Sequence, residues 1–265
     1  MIRDITLGQY YKAESIIHRL DPRTKLVITC LFLMSLFVGN NFYGYGIAIG
    51  VIIIYTLLSK VPFSFIRKGL KPVGYIILLS VVLNLFTTPG EAIFTWKFVK
   101  ITGAGVELAV LIAIRIMLLI VGSSIMTYTT TPNQLTDGIE KLFNWMNKLH
   151  IPVHEIAMMM SIALRFVPIL VEELDKIMKA QTARGAKFNT GKLSARIKSM
   201  IPIVVPLFVS AIRRANDLAM AMESRCYRGG EGRTKLKPLK YARRDIVFYG
   251  VILIYMCLMI GTIFI

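Results

Sequence analysis

Hydrophobic positions along this chain follow two patterns: long uninterrupted apolar runs, and stripes recurring every three or four residues among charges. Leu26 to Leu58 holds no charged residue in 33 positions, too long for a single membrane span of roughly 20 residues. Gly39-Asn40-Asn41 supplies a turn, so the run predicts a hairpin of two spans, 25–39 and 42–59. A third span is expected at 72–88, opened by Pro72 and closed by Pro89-Gly90. A fourth is expected at 104–129 and a last at 246–265, giving five.

The stripe pattern dominates between the fourth and last spans. Thr131-Pro132 reads as a helix start, with threonine as cap and proline at the first position. Leu135, Ile139, Leu142, Phe143 and Met146 carry its stripe up to Leu149. Pro152 opens a second helix striped by Val153, Ile156, Met160, Leu164, Val167, Val171, Leu174 and Met178, with Gly185 as its stop. A third runs from Leu193 through Ile197, Met200, Val204, Phe208, Ala211, Ala215 and Leu218 to Met222. Pro168, Pro202 and Pro206 fall inside these helices, where each removes a backbone hydrogen bond and bends the rod. Neither long helix can stand alone in water, so each needs a partner helix, a membrane face or another protein.

Composition narrows the class. The 265 residues are 55% hydrophobic, too apolar for an ordinary soluble domain. The formal charge of +17 then has a topological role, and nucleic acid is not an expected partner. Twenty of the 32 Lys and Arg lie in 130–245, five precede the first span and four separate the second and third, whereas the opposite loops hold only Lys97 and Lys100. Because cations are retained in the cytoplasm, the N-terminus and 130–245 are expected inside and the C-terminus outside. The N-terminal stretch lacks a signal-peptide apolar region, so insertion is left to the first span.

Catalytic signatures are missing. There is no P-loop, H-E-x-x-H or G-x-S-x-G. Cys30, Cys226 and Cys257 are too scattered for a disulfide framework or a zinc site. His150 and His154 stand four apart with Pro152 between them, and two solvated or interfacial imidazoles are the expectation. Arg115 and Glu107, in or near the fourth span, are costly enough in a bilayer to need an explanation. Pairing of Arg115 inside the bundle is the simplest one, and interhelical bonding the simplest for Asn84 in the third span.

Two arginines remain, each near the expected end of a long helix: Arg184 in Gln181-Thr182-Ala183-Arg184-Gly185 and Arg225 in Ser224-Arg225-Cys226. A guanidinium at a helix end offers five donors to a partner's carboxylates or carbonyls. An arginine there also simply favours the helix dipole. Over nearly its whole length the chain resembles the transmembrane T component (EcfT) of energy-coupling-factor transporters, vitamin and metal-ion importers of the ABC class. The resemblance rests on Leu20-Asp21-Pro22-Arg23-Thr24-Lys25, on Pro168 and on Ala183-Arg184-Gly185.

The resemblance implies a non-catalytic subunit that binds no cofactor, the ATP being held by two partner ATP-binding cassette subunits. Ala183, Arg184 and Gly185 would dock on one ATPase; Ser224, Arg225 and Cys226 match the second motif only at the arginine, since the family has alanine and glycine beside it. The apolar stripes would cradle a substrate-binding membrane partner, the S component, dedicated or shared, through Met158, Met160, Leu164, Met200, Val204 and Phe208. Methionines that can repack suit changing partners.

The expected fold class is an all-α polytopic membrane protein with about five transmembrane helices and a cytoplasmic set of long amphipathic coupling helices. Residues 1–129 hold the N-terminal segment and spans one to four, 130–245 the coupling helices and 246–265 the final span, in a prokaryotic plasma membrane. The rivals are the permease of a conventional ABC importer, disfavoured by few intramembrane polar residues, and a lipid-modifying membrane enzyme, disfavoured by the lack of convergent catalytic groups.

Overall fold

A computed structural model of the chain describes residues 10–39, 41–89, 92–96, 99–186, 193–230 and 238–262. Among the described residues eight α-helices run in order: α1 Pro22–Val38, α2 Phe42–Ser59, α3 Phe63–Thr87, α4 Gly103–Thr129, α5 Pro132–Phe143, α6 Val153–Ala183, α7 Leu193–Ser224 and α8 Arg243–Gly261. A small antiparallel hairpin, β1 Ala92–Trp96 and β2 Val99–Thr102, precedes α4. The chain divides into two compact units, one formed by Gly8–Lys141 with Leu239–Ile265, the other containing Leu142–Pro238.

Among the described residues five helices are long and apolar enough to cross a membrane, the number expected, but α6 stands in place of the first expected span. They are α2, α3, α4, α6 and α8. Helix α1 has 17 residues, about 25 Å at 1.5 Å per residue, short of the roughly 30 Å hydrocarbon core. Helix α6 qualifies because Arg165 is the only charge between Ile156 and Val171. The third span also differs. Its helix begins at Phe63 and carries Pro72 inside it, because Pro62 already supplies the extended residue from which the helix starts. The turn residue Asn40, Gly90 and Lys97 lie outside the described residues.

In the first unit α4 packs against α1, α2 and α3, while α1 and α2 both meet α8. The core joins Phe32 and Leu36 of α1, Tyr45 and Ile52 of α2, Leu118 and Ile125 of α4, and Tyr255 and Met259 of α8. Gly122 permits the close approach of α1 and α4, since a Cβ there would lie 2.9 Å from the Phe32 ring. Several polar groups inside the bundle are paired, as an apolar solvent favours, whereas Tyr55 Oη of α2 and Thr24 Oγ1 of α1 are buried without a hydrogen-bond partner among the described residues. Ser35 Oγ and Tyr255 Oη bond across α1 and α8 at 2.7 Å. Arg115 Nε donates to Tyr45 Oη at 2.7 Å, and its guanidinium lies over the rings of Phe37 and Tyr45. Glu107 is exposed. Asn84 bonds back to the Ser80 carbonyl of its own helix at 2.8 Å, so the interhelical role expected of it is not what the structure shows.

The charged motif ahead of α1 is a joint. Asp21 caps α1 by accepting from the Arg23 amide at 2.9 Å and also holds the Arg23 guanidinium through both oxygens. Asp245, 1% exposed in α8, accepts from the backbone amides of Asp21 and Ala242. Arg23 stacks 3.9 Å over Tyr241, and Lys25 Nζ, almost fully buried, donates to the carbonyls of Thr129 and His18. His18 is bonded to Ser15 Oγ and the Tyr11 carbonyl.

Burial lowers the His18 pKa from its usual 6.5, and the nearby Lys25 charge acts in the same direction, against the Tyr11 bond. The folded state therefore binds the His18 proton less readily than the unfolded chain. The stabilisation is complete above pH 6.5 and fades as pH falls below it. Thermal unfolding in detergent should show a midpoint that drops between pH 7.5 and pH 5.5, and a smaller drop in His18→Gln. An equal drop in the variant would contradict this role.

Candidate functional site

Helices α6 and α7 form the second unit. They run antiparallel: Gln181 Nε2 reaches the Pro202 carbonyl at 3.4 Å, Arg214 Nη2 bonds Glu173 at 2.5 Å, and the His154 ring occupies the space left by the missing side chain of Gly230. These pairs place the start of α6 beside the end of α7. Arg184 and Arg225 therefore lie at opposite ends of the pair. Arg225 shares a cavity with Arg165 of α6, 19 residues before Arg184, or roughly 30 Å along the helix axis.

Both helix ends close in the same way. Arg184 is the last residue of near-helical backbone, Gly185 follows at φ +89°, and the amides of Gly185 and Ala186 return to the carbonyls of Thr182 and Gln181 at 2.9 and 3.0 Å. At the second end Cys226 takes the left-handed position at φ +57°, and the amides of Cys226 and Tyr227 return to Glu223 and Met222 at 2.8 and 3.0 Å. This pair of bonds is the Schellman closure, which satisfies carbonyls that a helix end leaves bare. Cys226 thus holds a place that glycine fills more easily, and the replaced residues leave the backbone of the second motif the same as that of the first. Ala183 and Ser224 occupy equivalent positions, and both arginines are exposed.

The surroundings of the two ends differ. Arg225 borders a cavity of about 570 Å³ lined by the cations Arg165 and Arg228 and by Met158, Phe166, Leu218 and Met222. Sequence reasoning missed Arg165. The signal was there: a lone cation inside the apolar run of α6. Around Gly185 an added Cβ would meet nothing within 4 Å. Of the residues expected to meet a membrane partner, Met200, Val204 and Phe208 share an open face of α7 and are 55%, 55% and 64% exposed. Met160 is exposed, Leu164 is half-buried, and Met158 lines the cavity beside α7.

The helix starting at Thr131-Pro132 begins as expected: the Gln134 amide bonds Thr131 Oγ1, and Gln134 Oε1 accepts from the Thr131 amide. Its stripe does not stay α-helical to Leu149, because Asn144–Leu149 tightens into a 3-10 helix that ends at His150 with φ +59°. His150 is thereby a turn residue.

The family model described as "Cobalt transport protein", CbiQ, matches residues 13–236. The protein called "Energy-coupling factor transporter transmembrane protein EcfT" in Clostridium kluyveri is 49% identical over 262 residues, 98% of this chain and 97% of its own length. Proteins of the same description from Acidaminococcus fermentans and Bacillus subtilis are 51% and 47% identical, each over 92% of this chain and covering 91% and 93% of their own lengths.

A left-handed cysteine carries strain that glycine does not. Cys226→Gly should leave the helix end intact and raise stability by up to about 1 kcal/mol, whereas Cys226→Val should lower it by about as much or more. Thermal unfolding of the purified variants would read this, and a destabilised Cys226→Gly would contradict the left-handed assignment.

Proposed function

This chain belongs to the CbiQ cobalt-transport family and is the multi-pass transmembrane component of an energy-coupling-factor transporter; from that premise we propose that it transmits ATP hydrolysis by two partner ATPases to a substrate-binding membrane subunit. The carrying observation is the antiparallel pair whose two C-terminal ends share one backbone turn with an arginine at the same position. Antiparallel helices with equivalent ends are related by an approximate two-fold axis, and a two-fold arrangement of sockets is what a pair of ATPase subunits presents. Each arginine enters a groove on one ATPase. Ala183 and Gly185 on one side, and Ser224 and Cys226 on the other, keep the guanidinium clear of bulky neighbours.

In this reading residues 130–245 form the coupling region on the cytoplasmic side, as the bias of Lys and Arg favours. ATP stays on the ATPases. The open face of α7 with Met200, Val204 and Phe208, together with Met158, Met160 and Leu164 of α6, receives the S component, which carries the vitamin or metal ion. An exposed apolar face of this size needs a partner in lipid or protein. Movement of the ATPases then shifts both ends of a single helical pair at once, and the shift reaches the subunit resting on its length.

The double variant Arg184→Glu/Arg225→Glu should lose more than tenfold of the ATPase that co-purifies with the chain in mild detergent, and uptake with it, while its amount in membranes stays unchanged. Each single variant should lose part. ATPase recovery equal to wild type in the double variant would overturn the docking role.

A further inference from the structure

A second cavity, of about 710 Å³, opens in the first unit where the turn before α1, the end of α2 and the start of α8 come together. Three cations from three separate segments line it: Arg19, Lys60 and Arg244. Leu57 and Leu58 form its wall, with Ile16. The one carboxylate present, Glu14, pairs with Arg19 at 3.0 Å, but the two side chains are 89% and 58% exposed. Such a pair is screened by water and contributes little, so Arg19 is available to a stronger anion. Lys60 is the left-handed cap of α2 at φ +55°, which fixes its backbone at the rim.

We propose that this cavity binds the headgroup of one anionic phospholipid. Basic pockets between spanning helices, at the level where the helices leave the bilayer, are suited to phosphate headgroups. The apolar wall argues for a lipid over a free anion. Leu57 continues back along α2 into Ile53 and Ile54, four and three residues earlier on the same face, and these are 61%, 49% and 59% exposed. An acyl chain lies along that strip while the phosphate meets the three cations, each on a stem long enough to reach the interface. The site is independent of the arginine docking at α6 and α7, so either reading can fail without the other.

Native mass spectrometry of the full chain in mild nonionic detergent tests this, with dioleoylphosphatidylglycerol or dioleoylphosphatidylcholine added at equal concentration. The wild type should retain one phosphatidylglycerol per chain, at least fivefold more than phosphatidylcholine, and millimolar inorganic phosphate should not displace it. Arg19→Gln/Lys60→Asn/Arg244→Gln should lose that preference while keeping its unfolding midpoint without lipid. Should the triple variant not fold, the single variant Lys60→Asn should still lower retention about threefold. Equal retention of both lipids by wild type, displacement by phosphate, or undiminished phosphatidylglycerol in the folded variants would each overturn the site.

Discussion

A helix cannot end in a protein without an answer for its last carbonyls, and that constraint organises the α6–α7 half of this chain. Helices α6 and α7 both answer it by folding the next two amides back onto the final turn, through one left-handed residue. The closure puts Arg184 and Arg225 at the same position of the same turn. Antiparallel packing, with Glu173 against Arg214 in mid-length, then sends these turns to opposite ends. Neither effect alone produces two equivalent, widely separated cations; the combination does.

The first unit obeys a related constraint with different means. With no water to serve polar groups in hydrocarbon, Arg115 finds the Tyr45 hydroxyl and two ring faces, and Ser35 finds Tyr255. At the edge of the bundle the charges cluster instead of scattering. Asp21, Arg23 and Asp245 bind the starts of α1 and α8 to each other, and Lys25 ties α1 to the end of α4. Removing one member would leave buried donors or carboxylates without partners, which costs more than the bond itself is worth. A motif that reads in sequence as simple cytoplasmic charge is thus a fastening between helices far apart along the chain.

Much of this was legible from residues alone, for local reasons. Threonine then proline at 131–132 starts a helix because cap and first-turn chemistry are short-range, and the stripe spacing marked α6 and α7 along their lengths. The failures also have physical causes. Pro72 looked like a helix start, yet proline is tolerated inside a helix whose neighbours absorb the missing bond. The tightening at Asn144–Leu149 and the hairpin before α4 left no periodic signal. The likeness of Ser224-Arg225-Cys226 to Ala183-Arg184-Gly185 was hidden because glycine is the usual mark of a left-handed residue, and cysteine is not. Arg165, 60 residues from Arg225 in sequence, joins it only once the helices are paired.

The most direct measurement is cross-linking in the assembled transporter. In a background of Cys30→Ala, Cys226→Gly and Cys257→Ala, the substitutions Ala183→Cys and Ser224→Cys, at exposed positions that leave both arginines in place, are coupled by a maleimide–benzophenone photo-cross-linker to whatever lies beside them. Each single variant should join one ATPase, and the double variant should yield one chain bearing both. Coupling of both positions to the same ATPase polypeptide, or to neither while the complex stays assembled, would contradict two equivalent docking ends on one helical pair.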